Sequence, residues 1–171
     1  FAALEAQDLG DDGIADNTIR LSSGDAIIPG LFFSASAEVF GGAGRADILI
    51  QNELGIQAIA FGNHEFDLGT GLLADLIGGD AADGFAGAAF PYLSANLDFT
   101  TDANLAPFVT ADAQPAQANS IAASTVIDVN GEKIGVVGAT TPTIDVISSP
   151  GDIGIAPIDF DGTPTDAQLD A

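Results

Sequence analysis

The stretch that decides the fold runs from Ile56 to Asp67 and reads IQAIAF followed by GNHEFD. Its first half, Ile56–Phe61, is a short apolar run of the length typical of a buried strand. Its second half opens with a glycine and then presents an amide at Asn63, an imidazole at His64 and a carboxylate at Asp67. Because ligands of open α/β sheets bind where strands end, this order of residues predicts a site at the carboxyl end of a strand.

The same order occurs once earlier, where an apolar strand predicted at Thr18–Ser22 is followed by Gly24 and Asp25. Glycine permits a sharp turn and a close approach of the backbone to a ligand. If the two strands are neighbours, Asp25, Asn63 and His64 converge on one crevice. Carboxylate and amide oxygens beside an imidazole suit divalent metals of the Zn, Mn or Mg range. Taken alone, Asp25 also suits an ordinary turn.

Asp67 lies three residues after His64, a spacing that lets the two side chains meet on one helical turn. A carboxylate that accepts a hydrogen bond from an imidazole fixes its tautomer and favours the imidazolium. His64 would then act as a proton donor or as a cationic contact for a phosphate oxygen. The alternative role for Asp67 is the N-cap of the helix that follows.

Helical and apolar-strand patterns alternate for most of the chain, which predicts an α/β fold. An Asn130-Gly131 pair between two strand patterns predicts a tight antiparallel hairpin. We expect a loop with some helix over Ala26–Phe40 and an extended loop over Asp98–Asn119. The predicted helices are Ala46–Leu54, Leu72–Ile77 and one that starts within Thr163–Ala171; the further predicted strands are Ala88–Leu93, Thr125–Val129 and Lys133–Val137.

The charge of the chain restricts its partners. Its 171 residues, about one domain, include 25 acidic and 3 basic residues, for a net charge of −22. Nucleic acid polymers and anionic membranes are poor partners for such a surface, and no apolar run reaches the ~18 residues of a membrane span. The absence of Cys fits a secreted bacterial protein. Because the chain also has no Met, we expect it to be a processed or internal segment.

Four blocks in order carry a resemblance to a known family. They are GNHEFD at 62–67, LSSGD at 21–25, YLSANL at 92–97 and GEKIGVVG at 131–138. Together they resemble the 5′-nucleotidase branch of the calcineurin-like metallophosphoesterases, from about Thr18 to Thr143. The resemblance implies two packed mixed β-sheets flanked by helices, a four-layer sandwich that is incomplete at both ends of this chain.

The resemblance also implies roles for four residues. Asp25 matches the carboxylate that bridges two divalent ions of Zn, Mn, Mg or Fe type, and Asn63 matches a ligand of one of them. His64 matches the catalytic histidine that contacts the phosphate, and Asp67 matches its acidic partner. In the intact parent, the function implied is hydrolysis of phosphate monoesters, with nucleotides as substrates, outside the cell or in the periplasm.

The chain departs from the family pattern in its histidines. The family opens with an Asp-x-His block and ends with histidine blocks, the last of Gly-His-x-His type, whereas this chain has one histidine. We therefore expect residues 1–171 to be a partial catalytic domain that is inactive without its partner, the rest of the parent chain. Two alternative enzyme functions are a broad alkaline phosphatase and a cyclic-nucleotide phosphodiesterase. An alternative from another class is an acidic secreted binding module with a degenerate metal site.

Two further segments suggest other ligands. The acidic loop Asp8–Asp16 spaces its carboxylates somewhat as a calcium loop does, but Gly10 and Ile19 stand where oxygen ligands are expected. The run Gly41–Arg45 (GGAGR) hints at a nucleotide-binding loop, but Asp47 stands where the last glycine of that motif should be.

Overall fold

The computed structural model of the protein describes residues 18–157. The predicted helix start within Thr163–Ala171 and the acidic loop Asp8–Asp16 lie outside these residues. Four α-helices are present in the described part: α1 (Leu31–Phe40), α2 (Arg45–Glu53), α3 (Thr70–Gly78) and α4 (Ile144–Ile147). Its strands are β1 (Leu21–Ser22), β2 (Ala58–Ala60), β3 (Pro91–Leu93), β4 (Leu97–Asp98), β5 (Gln114–Pro115), β6 (Ser120–Ala122), β7 (Ser124–Val129), β8 (Glu132–Val137) and β9 (Gly154–Ile155).

The main sheet has the order β1-β2-β3-β6, and all of its pairs are parallel. In register, Ile59 lies beside Tyr92 and Tyr92 beside Ile121. These strands are short apolar runs because both faces of the sheet are covered. Ile59, Tyr92 and Ile121 face one core, while the alternate residues of the same strands face another. The sheet therefore occupies the centre of the described fold.

A second, mixed sheet covers one face of the main sheet. It has the order β5-β7-β8, in which β7 is parallel to β5 and antiparallel to β8. The predicted hairpin turn is confirmed, since Asn130 and Gly131 both have positive φ, 52° and 90°. The two sheets pack through a small core of Ala58, Leu93, Ala122 and Ile127.

Helices α1, α2 and α3 cover the other face of the main sheet. Phe33, Ile48 and Leu73, one from each helix, join Ile59 and Tyr92 in the larger core. The predicted α/β class, with packed sheets flanked by helices, is confirmed in three layers of the described residues. The expectation that both packed sheets are mixed is not met in the described residues. Only the sheet β5-β7-β8 is mixed, because the strands of the main sheet are joined by crossovers that keep them parallel.

The GNHEFD block is anchored to this core by its phenylalanine. Residues His64–Phe66 form one 3₁₀ turn, which three residues separate from the end of β2. Phe66 is fully buried, and its ring lies 5.3 Å from that of Phe61, which in turn stacks on Tyr92 at 4.9 Å. Burial of such a side chain contributes about 1.5–3 kcal/mol. The neighbouring polar residues of the block are thereby held at the edge of the sheet.

The predicted elements overlap those of the structure, but several boundaries differ. The strands predicted at Thr18–Ser22 and Ala88–Leu93 are shorter in the structure, where they span Leu21–Ser22 and Pro91–Leu93. The helix expected at Ala46–Leu54 is α2, and Leu54 lies past its end. The segment Ala26–Phe40 contains a complete helix, α1, rather than only some helix. The segment Asp98–Asn119 is mainly irregular, as predicted, with 3₁₀ turns at Phe99–Thr101 and Ala106–Phe108 and the short strand β5. No helix within residues 18–157 has the length and apolar character of a membrane span.

Candidate active site

The loops that follow β1 and β2 meet at the carboxyl edge of the main sheet. These two strands are hydrogen-bonded neighbours, with Leu21 in register with Ala58. The backbone N–H of His64 donates to Oδ1 of Asp25 at 3.0 Å. The structure therefore brings Asp25, Asn63 and His64 together, as the sequence predicts.

Two glycines allow this close approach. Gly24 has φ 96°, and a Cβ at this position would overlap the backbone of Gly62. A Cβ on Gly62 would in turn overlap the carboxylate and backbone of Asp25. Asp25 itself has φ 53°, in the left-handed region that costs a residue with a side chain about 1–2 kcal/mol. The contacts around Asp25 must offset that cost.

Glu65 binds the backbone of both loops. Its carboxylate accepts backbone N–H groups of Gly62 at 2.8 Å, Ala26 at 2.7 Å and Asp25 at 3.0 Å. The side chain is only 4% exposed, and this burial raises the pKa of the Glu65 carboxyl, while the three backbone hydrogen bonds oppose the rise. Sequence reasoning did not assign a role to Glu65, although the residue lies inside the quoted block.

His64 and Asp67 form the predicted pair. His64 Nδ1 lies 2.6 Å from Asp67 Oδ2, with the side chains 39% and 23% exposed. The hydrogen bond to Asp67, opposed by partial burial and reinforced by the nearby negative charges of Asp67 and Asp25, raises the pKa of His64 above its ordinary value. Asp67 is not a helix N-cap, since Gly69 occupies that position before α3.

Ser148, at the end of α4, is a further neighbour of the pair. Its hydroxyl lies 2.8 Å from the carbonyl oxygen of Asn63 and 2.9 Å from Oδ1 of Asp67, and it can donate to one of them at a time. Sequence reasoning missed Ser148, because no motif marks a serine that lies more than 80 residues along the chain from its partners.

Asn96 and Thr140 link the loops that follow β2, β3 and β8. Asn96 donates to the carbonyl oxygens of Thr140 at 2.8 Å and Ala156 at 3.1 Å, and accepts from the N–H of Thr140. The hydroxyl of Thr140 bonds to the carbonyl oxygen of Phe61 at 3.0 Å. The chain after β8 is thereby fixed against the end of β2.

Two of these side chains fit a divalent metal. Asp25 and Asn63 offer a carboxylate and an amide oxygen, the hard donors that such ions prefer. The glycines around Asp25 keep its carboxylate free of a crowding Cβ. Among residues 18–157, however, no group of three His, Cys, Asp or Glu side chains is suitably placed for a metal. The described residues thus fit part of a divalent site.

The chain is similar to known phosphoesterases over most of its length. It is 34% identical over 147 residues to the trifunctional nucleotide phosphoesterase protein YfkN of Bacillus subtilis, covering 80% of this chain and 10% of that protein. It is 36% identical over 136 residues to a 5′-nucleotidase of Diplobatis ommata, covering 79% of this chain and 19% of that one. No family model matches the chain.

A solved structure shows the same fold. The 5′-nucleotidase precursor of Thermus thermophilus superposes with a TM-score of 0.60 at 29% identity, covering 88% of this chain and 24% of that one. The chain belongs to the 5′-nucleotidase-type metallophosphoesterases. Its described layers are accordingly part of the metallophosphoesterase fold. The chain spans 10–24% of the length of these relatives.

Proposed function

We propose that the whole protein containing this chain hydrolyses phosphate monoesters with the aid of two divalent ions, and that its substrates are nucleotides. The main support for the proposal is the pair formed by His64 and Asp67, in which Nδ1 lies 2.6 Å from Oδ2. The backbone N–H of His64 also donates to the carboxylate of Asp25. The substrate class is supported by relatives whose names are nucleotide phosphoesterase and 5′-nucleotidase.

Asp25 and Asn63 would be this chain's ligands for the two ions, with Asp25 bridging them. Residues 18–157 contain no group of three His, Cys, Asp or Glu side chains placed for a metal, so further ligands would come from other residues of the whole protein. When bound, such ions neutralise phosphate charge and lower the pKa of water at the site. Zn, Mn, Mg and Fe are all compatible with oxygen donors of this kind.

His64 would donate a proton to the leaving group. Its Nδ1 is engaged by Asp67, while Nε2 has no hydrogen-bond partner among residues 18–157. Because the pKa of His64 is raised, the ring is more often protonated near neutral pH than a free histidine would be. An imidazolium in this position donates a hydrogen bond to a phosphate oxygen and a proton to the departing alkoxide.

We further propose an extracellular or periplasmic location. The Thermus relative is named a precursor. The strongly acidic composition and the absence of Cys in this chain agree with a protein outside the cytoplasm.

The first experiment is to express the complete reading frame that encodes this chain and to measure phosphate release from a nucleoside monophosphate with Mn²⁺, Zn²⁺ or Mg²⁺. We expect His64→Ala to lower kcat by about 10²–10⁴, the contribution usual for one acid–base group. Lys133→Met, on the exposed hairpin strand β8, is the control and should leave kcat unchanged.

Full activity of the His64→Ala protein would contradict the role given to His64. A wild-type protein that binds no divalent ion and releases no phosphate would contradict the proposed function as a whole. The acidic binding module with a degenerate metal site would then be the better description.

A further inference from the structure

We propose that Glu65 is a positioning residue that holds Asp25 against the Asn63-His64 loop and so sets the geometry of this chain's metal ligands. The proposal rests on the function proposed above. The Glu65 side chain would touch neither metal nor substrate, because every hydrogen bond that it makes within residues 18–157 goes to a backbone N–H group of the two loops.

The carboxylate of Glu65 joins two segments that are far apart in sequence. Oε2 accepts from Gly62 at 2.8 Å and from Asp25 at 3.0 Å, while Oε1 accepts from Ala26 at 2.7 Å. Glu65 thus bonds to the N–H of the proposed bridging ligand itself. It also bonds to the residue that directly precedes Asn63, the second proposed ligand.

The backbone of Asp25 needs such support. Its φ of 53° is a conformation that a residue with a side chain rarely adopts without outside contacts. The Glu65 carboxylate accepts the backbone N–H of Asp25, and the backbone N–H of His64 donates to the Asp25 carboxylate. A second buried side chain, Gln51, lies close to the carbonyl oxygen of Ala26 at 3.5 Å. The loop is therefore held by groups that are remote in sequence.

Only a carboxylate of this length satisfies all three donors. Glutamine has one accepting oxygen, so Glu65→Gln turns an NH₂ group toward either the Ala26 N–H or the Asp25 and Gly62 N–H groups. A buried donor that faces another donor is destabilising. Glu65→Asp keeps both oxygens, but its side chain is one methylene shorter and cannot reach both loops at once.

The chain offers a matched control in Asp102. This carboxylate is 3% exposed and also accepts several backbone N–H groups, those of Asn104, Leu105 and Asp152, together with the Thr70 hydroxyl. None of these partners is a proposed ligand or a member of the His64–Asp67 pair. Asp102→Asn therefore damages a comparable buried network outside the site.

The experiment compares wild type, Glu65→Gln and Asp102→Asn in the whole protein, each first checked for cooperative unfolding. The Kd for Mn²⁺ is measured by calorimetry, and amide hydrogen exchange is measured in the metal-free proteins. We expect Glu65→Gln to weaken Mn²⁺ binding by about 10- to 100-fold, the usual effect of losing a group that orients a ligand. Its exchange should become faster at Asp25, Ala26 and Gly62.

Asp102→Asn should leave the Kd for Mn²⁺ unchanged and speed exchange only at its own partners. Equal loss of Mn²⁺ affinity in both variants, or none in Glu65→Gln, would overturn the proposal. If Glu65→Gln does not fold, Glu65→Asp takes its place and must show the same contrast with Asp102→Asn.

The exchange measurement separates this proposal from the proposed function. A wild-type protein without Mn²⁺ affinity or phosphatase activity would defeat the proposed function. Faster exchange at Asp25 in the Glu65→Gln protein would still support the positioning of the loops by Glu65, and unchanged exchange would defeat it.

Discussion

His64 is the only histidine of the chain. In the whole protein, its imidazole signals are identified as those missing from the His64→Ala variant. Its pKa is raised chiefly by the hydrogen bond to Asp67, and replacing that carboxylate by an amide removes both the strong acceptor and the negative charge. We predict that Asp67→Asn shifts the pKa of His64 downward, measured by NMR of the imidazole C–H protons across pH 5–9. An unchanged pKa would show that the contact with Asp67 does not govern this histidine.

The same pair makes stability depend on pH. Because the folded pKa of His64 lies above the unfolded value near 6.5, its contribution is complete below that value and is lost as pH rises through the folded pKa. The ring is 39% exposed, so solvent screening limits this contribution to less than about 1 kcal/mol. Urea unfolding of the wild type and of Asp67→Asn should differ more at pH 6 than at pH 9.

For individual residues, the sequence predicted those contacts whose partners belong to a short, recognisable motif. The pairing of His64 with Asp67 follows from a separation of three residues, and the approach of Asp25 follows from two glycine turns after neighbouring strands. The roles of Glu65 and Ser148 could not be predicted in this way. Their partners lie about 40 and 80 or more residues away, so the contacts exist only once the sheet order is known.

At the scale of elements, the run Gly41–Arg45 follows a helix, whereas a dinucleotide-binding glycine loop follows a strand. Gly41–Gly44 form the turn between α1 and α2, and Arg45 begins α2. Gly41 and Gly44 have φ of 75° and 76°, and a Cβ on Gly42 would overlap the side chain of Arg45. Gly41 and Gly42 make room for the guanidinium of Arg45, which is 4% exposed and lies 4.8 Å over the ring of Phe85, whereas Gly44 makes room for the ring of Phe33. The glycine content of the run is thus explained by packing.

Arg45 connects α2 to α3 and to the loop after α3. Its guanidinium lies within 3.5 Å of carboxylate oxygens of Asp75, Asp80 and Asp83. We predict that Arg45→Met lowers the free energy of unfolding by about 2 kcal/mol, because the three carboxylates then repel one another without a cation between them. The figure stays below that for a fully buried pair because the aspartates are 37–53% exposed.

Lys133→Met is the matched control for Arg45→Met, since it removes the same charge from an exposed strand. Surface changes of this kind usually alter stability by less than about 0.5 kcal/mol. Urea unfolding at pH 7 measures both variants. If the two lose equal stability, net charge rather than the Arg45 contacts accounts for the loss.

The predicted elements differ from the structure where tertiary contacts decide the outcome. Helix α1 follows Pro29 and Gly30 and begins without a side-chain cap, so the local sequence favours a loop there. Its buried residues are Phe33 and Ser36, and the hydroxyl of Ser36 bonds to Gly42 and Ala46 around the start of α2. Contacts with the next helix thus stabilise a segment that propensity alone does not define.

At the scale of the whole molecule, the alternation of helices and strands predicted the α/β class but not the strand order. The order β1-β2-β3-β6 places the ends of β1 and β2 side by side, and the site is built from the loops that follow these two strands together with Ser148. The excursion from β4 to β5 separates β3 from β6 in sequence, and no local pattern indicates that they pair.

The net charge of the chain should affect how fast an anionic substrate binds. A net charge of −22 repels an anionic phosphate ester at low salt, and added salt screens this repulsion over a Debye length of about 8 Å near physiological ionic strength. For the whole protein we predict that kcat/KM rises as NaCl is first added and then levels. A dianionic monoester should show a steeper rise than a monoanionic diester, since the repulsion scales with substrate charge. A steady fall of kcat/KM from the lowest salt would instead mean that cations near the site attract the substrate more strongly than the acidic surface repels it.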